Sequence, residues 1–312
     1  MADPAPLMSQ IADAPAGGRA VWLDANGVRI RAAIWSGGER GTALIFTGRT
    51  EYIEKYGRVA AALVKRGYAV VTLDWRGQGL SERALAEPMK GHVGDFAEFQ
   101  HDVAAVLRLI EDEDLPAPLT LFCHSMGGCI GARALADDRI TPVATVMSAP
   151  MLSIRMRPHE MGLAPVLIGA SRIFGLDDRF TPSPQPTVPY VEKTSFAKNV
   201  LTTDAEYYDW MRQHLVAEPK LGLGPPTIGW LARAIEETKA LARASVYPGP
   251  VLAILGGAEE VVAPSAIRDY AKRQPACELL EVPGAKHEIF MECAAMQDLA
   301  WRRIDAFLDQ HS

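Results

Sequence analysis

Short apolar runs of strand length alternate along this chain with segments whose apolar residues recur at helical spacing, and no other feature restricts its fold as tightly. Ala43-Leu44-Ile45-Phe46 has the pattern of a buried strand. Tyr56, Val59, Ala60, Leu63 and Val64 follow at helical spacing, and Gly67 is placed to end that helix. Tyr68 to Leu73 is again apolar and β-branched, Phe96 to Ile110 is helical in period, and Leu119-Thr120-Leu121-Phe122 is strand-like. Cys129 to Leu135 reads as a helix and Val143 to Met147 as a strand. This alternation predicts an α/β fold, a parallel sheet with helices on both faces. Ahead of it, Asn26-Gly27 between two alternating runs within Val21 to Trp35 predicts a β-hairpin.

The alternation stops between about Pro150 and Leu241, where Pro182, Pro184, Pro186 and Pro189 lie among helix-like apolar segments. It resumes with Val251 to Leu255, Ser265 to Arg273, Leu279 to Val282 and Met296 to Leu308. The expected organisation is a flexible leader over residues 1–18, a sheet domain over 19–149 and 242–312, and a helical cap over 150–241. The leader, MADPAPLMSQIADAPAGG, is rich in Ala, Pro and Gly and has neither the basic start nor the apolar run of a signal peptide. No apolar stretch reaches the length of a membrane span. Cys123, Cys129, Cys277 and Cys293 form no CxxC pair, which argues against a zinc site and predicts reduced thiols in a cytoplasmic protein. A net charge of -6 argues against nucleic-acid binding, which needs a basic surface to displace counterions.

Leu121-Phe122-Cys123-His124-Ser125-Met126-Gly127-Gly128 joins a predicted strand to a predicted helix, the setting of a nucleophile elbow. The turn is so tight that the flanking positions must be small. Gly127 satisfies this, and Cys123 stands where a glycine is usual. A serine hydroxyl needs a base. Of seven histidines, His287 lies in a loop between the last predicted strand and the last helix, where the order nucleophile, acid, base puts it. His124 is expected to pack beside the sheet. The acid, which orients the histidine, should follow the strand ending at Leu255, and Gly256-Gly257-Ala258-Glu259-Glu260 offers Glu259 or Glu260. An oxyanion hole needs two backbone N–H groups: Met126 supplies one, and the loop Phe46-Thr47-Gly48-Arg49-Thr50-Glu51 should supply the other, with Gly48 permitting an unusual backbone. Asp74-Trp75-Arg76-Gly77-Gln78-Gly79-Leu80-Ser81 follows a strand but lacks phosphate-loop spacing and reads as a structural turn.

These segments together resemble the α/β-hydrolases of the lysophospholipase and monoacylglycerol-lipase group. The elbow Cys-His-Ser125-Met-Gly-Gly is similar to that family's Gly-His-Ser-Met-Gly-Gly, and Asp74 to Ser81 is similar to its D-x-R-G-x-G-x-S segment. Gly48-Arg49-Thr50-Glu51 with Lys55-Tyr56, Gly91-His92-Val93 with Phe96 and Phe99, and the cap segments Asn199 to Thr202 and Gly224 to Leu231 look more like the bacterial lysophospholipase branch. Gly284-Ala285-Lys286-His287-Glu288 is similar to the family's histidine loop. Thr47-Gly48 departs from the His-Gly usual in monoacylglycerol lipases.

The resemblance implies the α/β-hydrolase fold and a serine hydrolase that cleaves a carboxylic ester of a lysophospholipid or monoacylglycerol through an acyl-enzyme. It places the acid at Glu259, by register from Val261-Val262, and the second oxyanion N–H at Arg49. No metal or organic cofactor is needed. The alternatives are a general carboxylesterase or thioesterase, or a non-catalytic binding protein on the same fold. Met151, Leu152, Met161, Leu163, Val166, Leu167 and Ile168 are expected to wall an acyl pocket, with possible peripheral membrane contact through the cap. The Arg49 side chain is expected near a lipid phosphate or paired with Glu51.

Overall fold

The computed structural model describes residues 3–156, 158–183, 185 and 187–311. Nine strands form one sheet: β1 (Asp3–Ala5), β2 (Arg19–Asp24), β3 (Arg29–Trp35), β4 (Thr42–Phe46), β5 (Ala69–Asp74), β6 (Leu119–His124), β7 (Ala144–Ser148), β8 (Val251–Gly256) and β9 (Cys277–Val282). Their order is β1-β2-β3-β5-β4-β6-β7-β8-β9. The first three strands and the β3–β5 pair run antiparallel, while every pair from β5 to β9 is parallel. The chain thus has the α/β-hydrolase fold, a mostly parallel sheet flanked by helices.

The helices are α1 (Ser9–Ala12), α2 (Gly57–Lys65), α3 (Phe99–Asp112), α4 (Met126–Ala136), α5 (Pro158–Phe174), α6 (Tyr190–Lys193), α7 (Ala205–Ala217), α8 (Ile228–Leu241), α9 (Pro264–Arg273) and α10 (Ala294–His311). Four of them, α5 to α8, interrupt the strand–helix alternation between β7 and β8.

Alternation within the strands divides the core between the two faces of the sheet. Leu44 and Phe46 of β4 pack on one face with Leu73, Val103 and Ile130. Ala43 and Ile45 pack on the other with Leu63, Ile254 and Phe307. Successive strand residues point to opposite faces, so a sheet covered on both sides needs strands apolar at every position.

The leader, expected to be flexible, is docked. Asp3–Ala5 pairs with Ala20–Trp22, extending the sheet by one strand. Arg31 Nη1 donates to Pro6 O (2.9 Å), Trp35 Nε1 to Pro15 O (3.0 Å), and His214 Nε2 lies 2.6 Å from Ile11 O. A Cβ on Gly57 would collide with Ala12 O, so this glycine lets α1 lie directly on the start of α2. Composition misled here because the segment is held by backbone groups, which any sequence offers, and by scattered apolar side chains such as Leu7, Met8 and Ile11 that show no period.

Candidate active site

The strand order reverses at β4, whose neighbours are β5 on one side and β6 on the other. Loops leaving the carboxyl ends of β4 and β6 therefore diverge and leave a crevice, the usual ligand position in open α/β sheets. Ser125 follows β6 at that crevice with φ 50° and ψ -115°, a backbone that side chains rarely adopt. Its carbonyl accepts from Gly128, Cys129 and Met151, which fixes the turn.

Two close approaches explain the small residues around the elbow. A Cβ on Gly127 would collide with the carbonyls of Phe46 and Thr47, so the start of α4 lies against the end of β4. A Cβ on Gly131, one helical face further on, would stand 2.6 Å from Cys123 Sγ. The thiol that replaces the usual elbow glycine therefore occupies room left by a glycine on the helix.

Ser125 Oγ is 3.0 Å from His287 Nε2, and His287 Nδ1 is 2.8 Å from Glu259 Oε2. All three residues are buried. The other oxygen, Glu259 Oε1, accepts from Val261 N (2.6 Å) and Val262 N (3.1 Å). Burial raises the Glu259 pKa, but the His287 hydrogen bond and charge and the two backbone N–H groups outweigh it and hold the carboxyl below its ordinary value. The neighbouring candidate, Glu260, is exposed.

Gly48 does not take a left-handed backbone; the positive φ in this loop belongs to Thr50, at 64°. What Gly48 provides is space, since a Cβ there would stand 2.6 Å from Glu51 Oε2, the oxygen that accepts its N–H. That bond occupies the Gly48 donor. Among the described residues the N–H groups of Arg49 and Met126 have no partner, and Met126 opens a helix whose dipole favours negative charge.

Behind the loop lies a charged cluster to which sequence reasoning gave no role. Lys55 Nζ donates to Glu51 Oε1 (2.5 Å) and Glu288 Oε1 (2.7 Å), and Tyr56 Oη donates to Glu51 Oε2 (2.6 Å). The four-residue spacing of Glu51 and Lys55 was the available signal. His124 belongs to this cluster as well as to the sheet: its ring centroid is 4.8 Å from that of His287, Nδ1 meets Ser148 O at 3.1 Å, and Nε2 stands 3.3 Å from Glu288 Oε2. Burial lowers the His124 pKa, but Glu288 and Glu51 reverse this and raise it. Glu51, His124 and Glu288 converge closely enough to ligate a metal ion, but the Lys55 ammonium already bridges both carboxylates.

Ser125 and His287 open into a cavity of about 400 Å³. Its apolar wall includes Met151, Val191, Met211, Leu215, Leu223 and Trp230. Among the described residues, Met151 is the one member of the expected wall that lines it. Leu152 is buried in the core cluster under the sheet, Val166 is 68% exposed, and the side chains of Met161, Leu163 and Leu167 lie outside the described residues. Among the described residues, α6, α7 and α8 supply Val191, Met211, Leu215 and Trp230, and loop residues such as Ile154, Leu201, Leu223 and Val261 supply the rest. The Arg49 side chain does not pair with Glu51. It donates from Nη2 to Gly224 O (2.9 Å) and lies over the Trp230 ring at 5.0 Å.

Residues 37–294 match the family Hydrolase_4, described as serine aminopeptidase, S33. Lysophospholipase L2 of Escherichia coli (strain K12) is 30% identical over 286 residues, 86% of this chain and 80% of that protein. The probable lysophospholipase L2 of Haemophilus influenzae is 25% identical over 272 residues, covering 86% and 84%. Among solved structures, a soluble variant of the monoglyceride lipase of Saccharomyces cerevisiae, in complex with a substrate analogue, superposes with a TM-score of 0.71 at 21% identity, covering 99% of this chain and 100% of that one. The thermostable carboxyl esterase of Bacillus coagulans gives 0.72 at 16% identity, covering 95% and 99%. The family match over most of the chain and the 30% identity to a relative matched over 80% of its length agree with the site's geometry: the chain belongs to the Hydrolase_4 family and is a lysophospholipase-like carboxylic ester hydrolase.

Proposed function

We propose that the chain hydrolyses a carboxylic ester of a lipid-like substrate, a lysophospholipid or a monoacylglycerol, through an acyl-enzyme on Ser125. The observation that carries this reading is the unbroken hydrogen-bonded line from Ser125 Oγ through His287 to Glu259, opening into a largely apolar cavity. His287 Nε2 takes the hydroxyl proton as Oγ attacks the ester carbonyl, and Glu259 orients the ring and stabilises its charged form. The N–H groups of Met126 and Arg49 hold the oxyanion. The imidazolium then gives its proton to the leaving glycerol oxygen, and the acyl group remains on Ser125. Water attacks that ester, His287 again takes the proton, and the fatty acid leaves as Ser125 recovers its own.

The names of the curated relatives support the substrate class, and the apolar wall suits an acyl chain. Exposed Val166, Ile173 and Phe174 on α5 support peripheral contact with a lipid surface. No helix among the described residues is long and apolar enough to cross a membrane. Four free thiols fit a cytoplasmic location.

Labelling with a fluorophosphonate, followed by peptide mass spectrometry, tests the mechanism, and hydrolysis of lysophospholipids, monoacylglycerols and short esters tests the substrate. The expected result is a single adduct on Ser125 and preference for long-chain glycerol esters. An adduct elsewhere would overturn the mechanism, and activity on short esters alone would overturn the lipid substrate.

A further inference from the structure

We propose that Arg49 and Lys193 form an anion subsite in the Ser125 cavity that takes the phosphate of a lysophospholipid head group. The subsite rests on the lipid-ester reading and extends it by assigning head-group selectivity to two side chains. Both residues line the cavity that Ser125 and His287 open into. Neither has a carboxylate partner among the described residues. Arg49 has its Nη2 bond to Gly224 O, and its buried Nε has no acceptor at all. Among the described residues Lys193 Nζ reaches only Ser183 Oγ and Gln185 O, both at 3.4 Å.

Three cations buried more deeply than Arg49 and Lys193 are treated differently, whereas Arg83 resembles Arg49 in having only carbonyl acceptors among the described residues. Arg31 holds Glu54 and Asp74, Arg76 holds Asp102, and Lys55 holds Glu51 and Glu288. A guanidinium taken out of water without a counter-charge is costly, and here the nearest acid in sequence, Glu51, is fully engaged by Gly48, Lys55 and Tyr56. Burial pushes the Arg49 guanidinium down to about 9. Burial, followed by the charge of Arg49, lowers Lys193 as well, so the guanidinium acts on the ammonium across the cavity and an anion between them would relieve it.

Arg49 is also held in place before any ligand arrives. Trp230 lies under it, Gly224 O fixes one end, and a Cβ on Gly91 would collide with Nη2. A fixed guanidinium fork beside a flexible ammonium suits a phosphodiester, whose two free oxygens can be shared between a bidentate donor and a point charge. A monoacylglycerol presents no anion and leaves the pair unused.

The test compares wild type with Lys193→Met and Arg49→Gln. Lys193 belongs to α6 and not to the oxyanion loop, so its variant leaves that loop's backbone alone. The readout is the ratio of kcat/KM for lysophosphatidylethanolamine to that for monoacylglycerol of the same acyl chain. Loss of one charge-assisted contact should lower this ratio about tenfold in each variant. In parallel, glycerol 3-phosphate should inhibit hydrolysis of a p-nitrophenyl ester by wild type and do so more weakly in Lys193→Met. An unchanged ratio with unchanged inhibition overturns the subsite. Inhibition by inorganic phosphate as strong as by glycerol phosphate, with an unchanged lipid ratio, makes this a free-phosphate site and overturns the head-group assignment. A wild-type enzyme that turns over the short ester but neither lipid overturns the lipid reading itself, and the glycerol phosphate measurement keeps that failure separate from a failure of the anion pair.

Discussion

The sulfur of Cys123 lies 2.6 Å from the point where a Cβ on Gly131 would stand, with Leu121 and Phe46 side-chain carbons 3.5 Å from the same point. The elbow's unusual cysteine and a glycine eight residues later thus fill one space between them. Gly131→Ala should destabilise the fold by roughly 1–3 kcal/mol through overpacking, even though Ala gains about 1 kcal/mol of helix propensity. In a Cys123→Gly background the same substitution meets no sulfur, and its sign should reverse. Urea denaturation of the four proteins of this double-mutant cycle measures the coupling. Additive effects would show that the two positions do not share the space.

Glu259 and Glu260 differ sharply in setting although they are adjacent. The first is buried, accepts two backbone N–H groups and meets His287 Nδ1; the second is exposed. Glu259→Gln should lower kcat by about 10⁴, because an amide can donate to Nδ1 and favour the wrong tautomer. Glu260→Gln should leave turnover of a p-nitrophenyl ester near wild type. A larger loss at Glu260 would reverse the assignment of the acid.

The parts of this molecule that were legible in the sequence are those fixed by local pattern. Strands of the parallel sheet are buried on both faces, so β4, β5, β6 and β8 announce themselves as short, predominantly apolar runs. Ser125 and His287 could be singled out because a strand–turn–helix junction and a loop after the last strand are positions in chain order. What could not be read was whatever depends on contact at long range. The pairing of β1 with β2 rests on three backbone positions and no apolar period. Lys55 and Glu288 are 233 residues apart. The cavity wall joins α6, α7 and α8 to loops far apart in the chain, and which face of each helix turns inward is decided by packing on other helices, such as α8 on α4 and α7 on α1. An apolar sequence such as that of α5 cannot say which way it faces.

The backbone of Ser125 separates two substitutions that are equally fatal to the proposed chemistry. Both Ser125→Ala and Ser125→Gly remove the hydroxyl and should cost about 10⁶ in kcat. Only glycine relieves the φ of 50° and ψ of -115°, a strain worth about 1–3 kcal/mol, against roughly 0.5–1 kcal/mol of extra chain entropy lost on folding. Ser125→Gly should therefore unfold at higher urea than Ser125→Ala, by roughly 1 kcal/mol. Equal stabilities would mean that the elbow stores no strain, and near-normal activity in either folded variant would rule out this nucleophile.

The last prediction concerns the acid side of the Lys55 cluster. Burial alone would raise the Glu288 carboxyl, but the charges of Lys55 and His124 outweigh it and hold the group well below 4.5. A carboxyl depressed in the folded state contributes stability that is complete above its unfolded value and is lost as pH falls through the folded one. Lys55 behaves in the opposite sense. It is raised above 10.5 once Glu288 and Glu51 overcome its burial, so its contribution is intact below 10.5 and is lost only as pH climbs beyond. Glu288→Gln leaves Lys55 with one carboxylate and should cost about 3–5 kcal/mol at neutral pH, the usual penalty for removing one partner of a buried pair. The gap to wild type should widen as pH falls toward 6.5, where His124, raised by Glu288, takes up its proton in wild type, and should narrow below 4.5, because only wild type then has a carboxylate to protonate. Urea titrations of both proteins from pH 7 to 3.5 make the comparison. A gap that stays flat across that range would mean that the charge on Glu288 does not stabilise the loop, and that Lys55 is held by Glu51 alone.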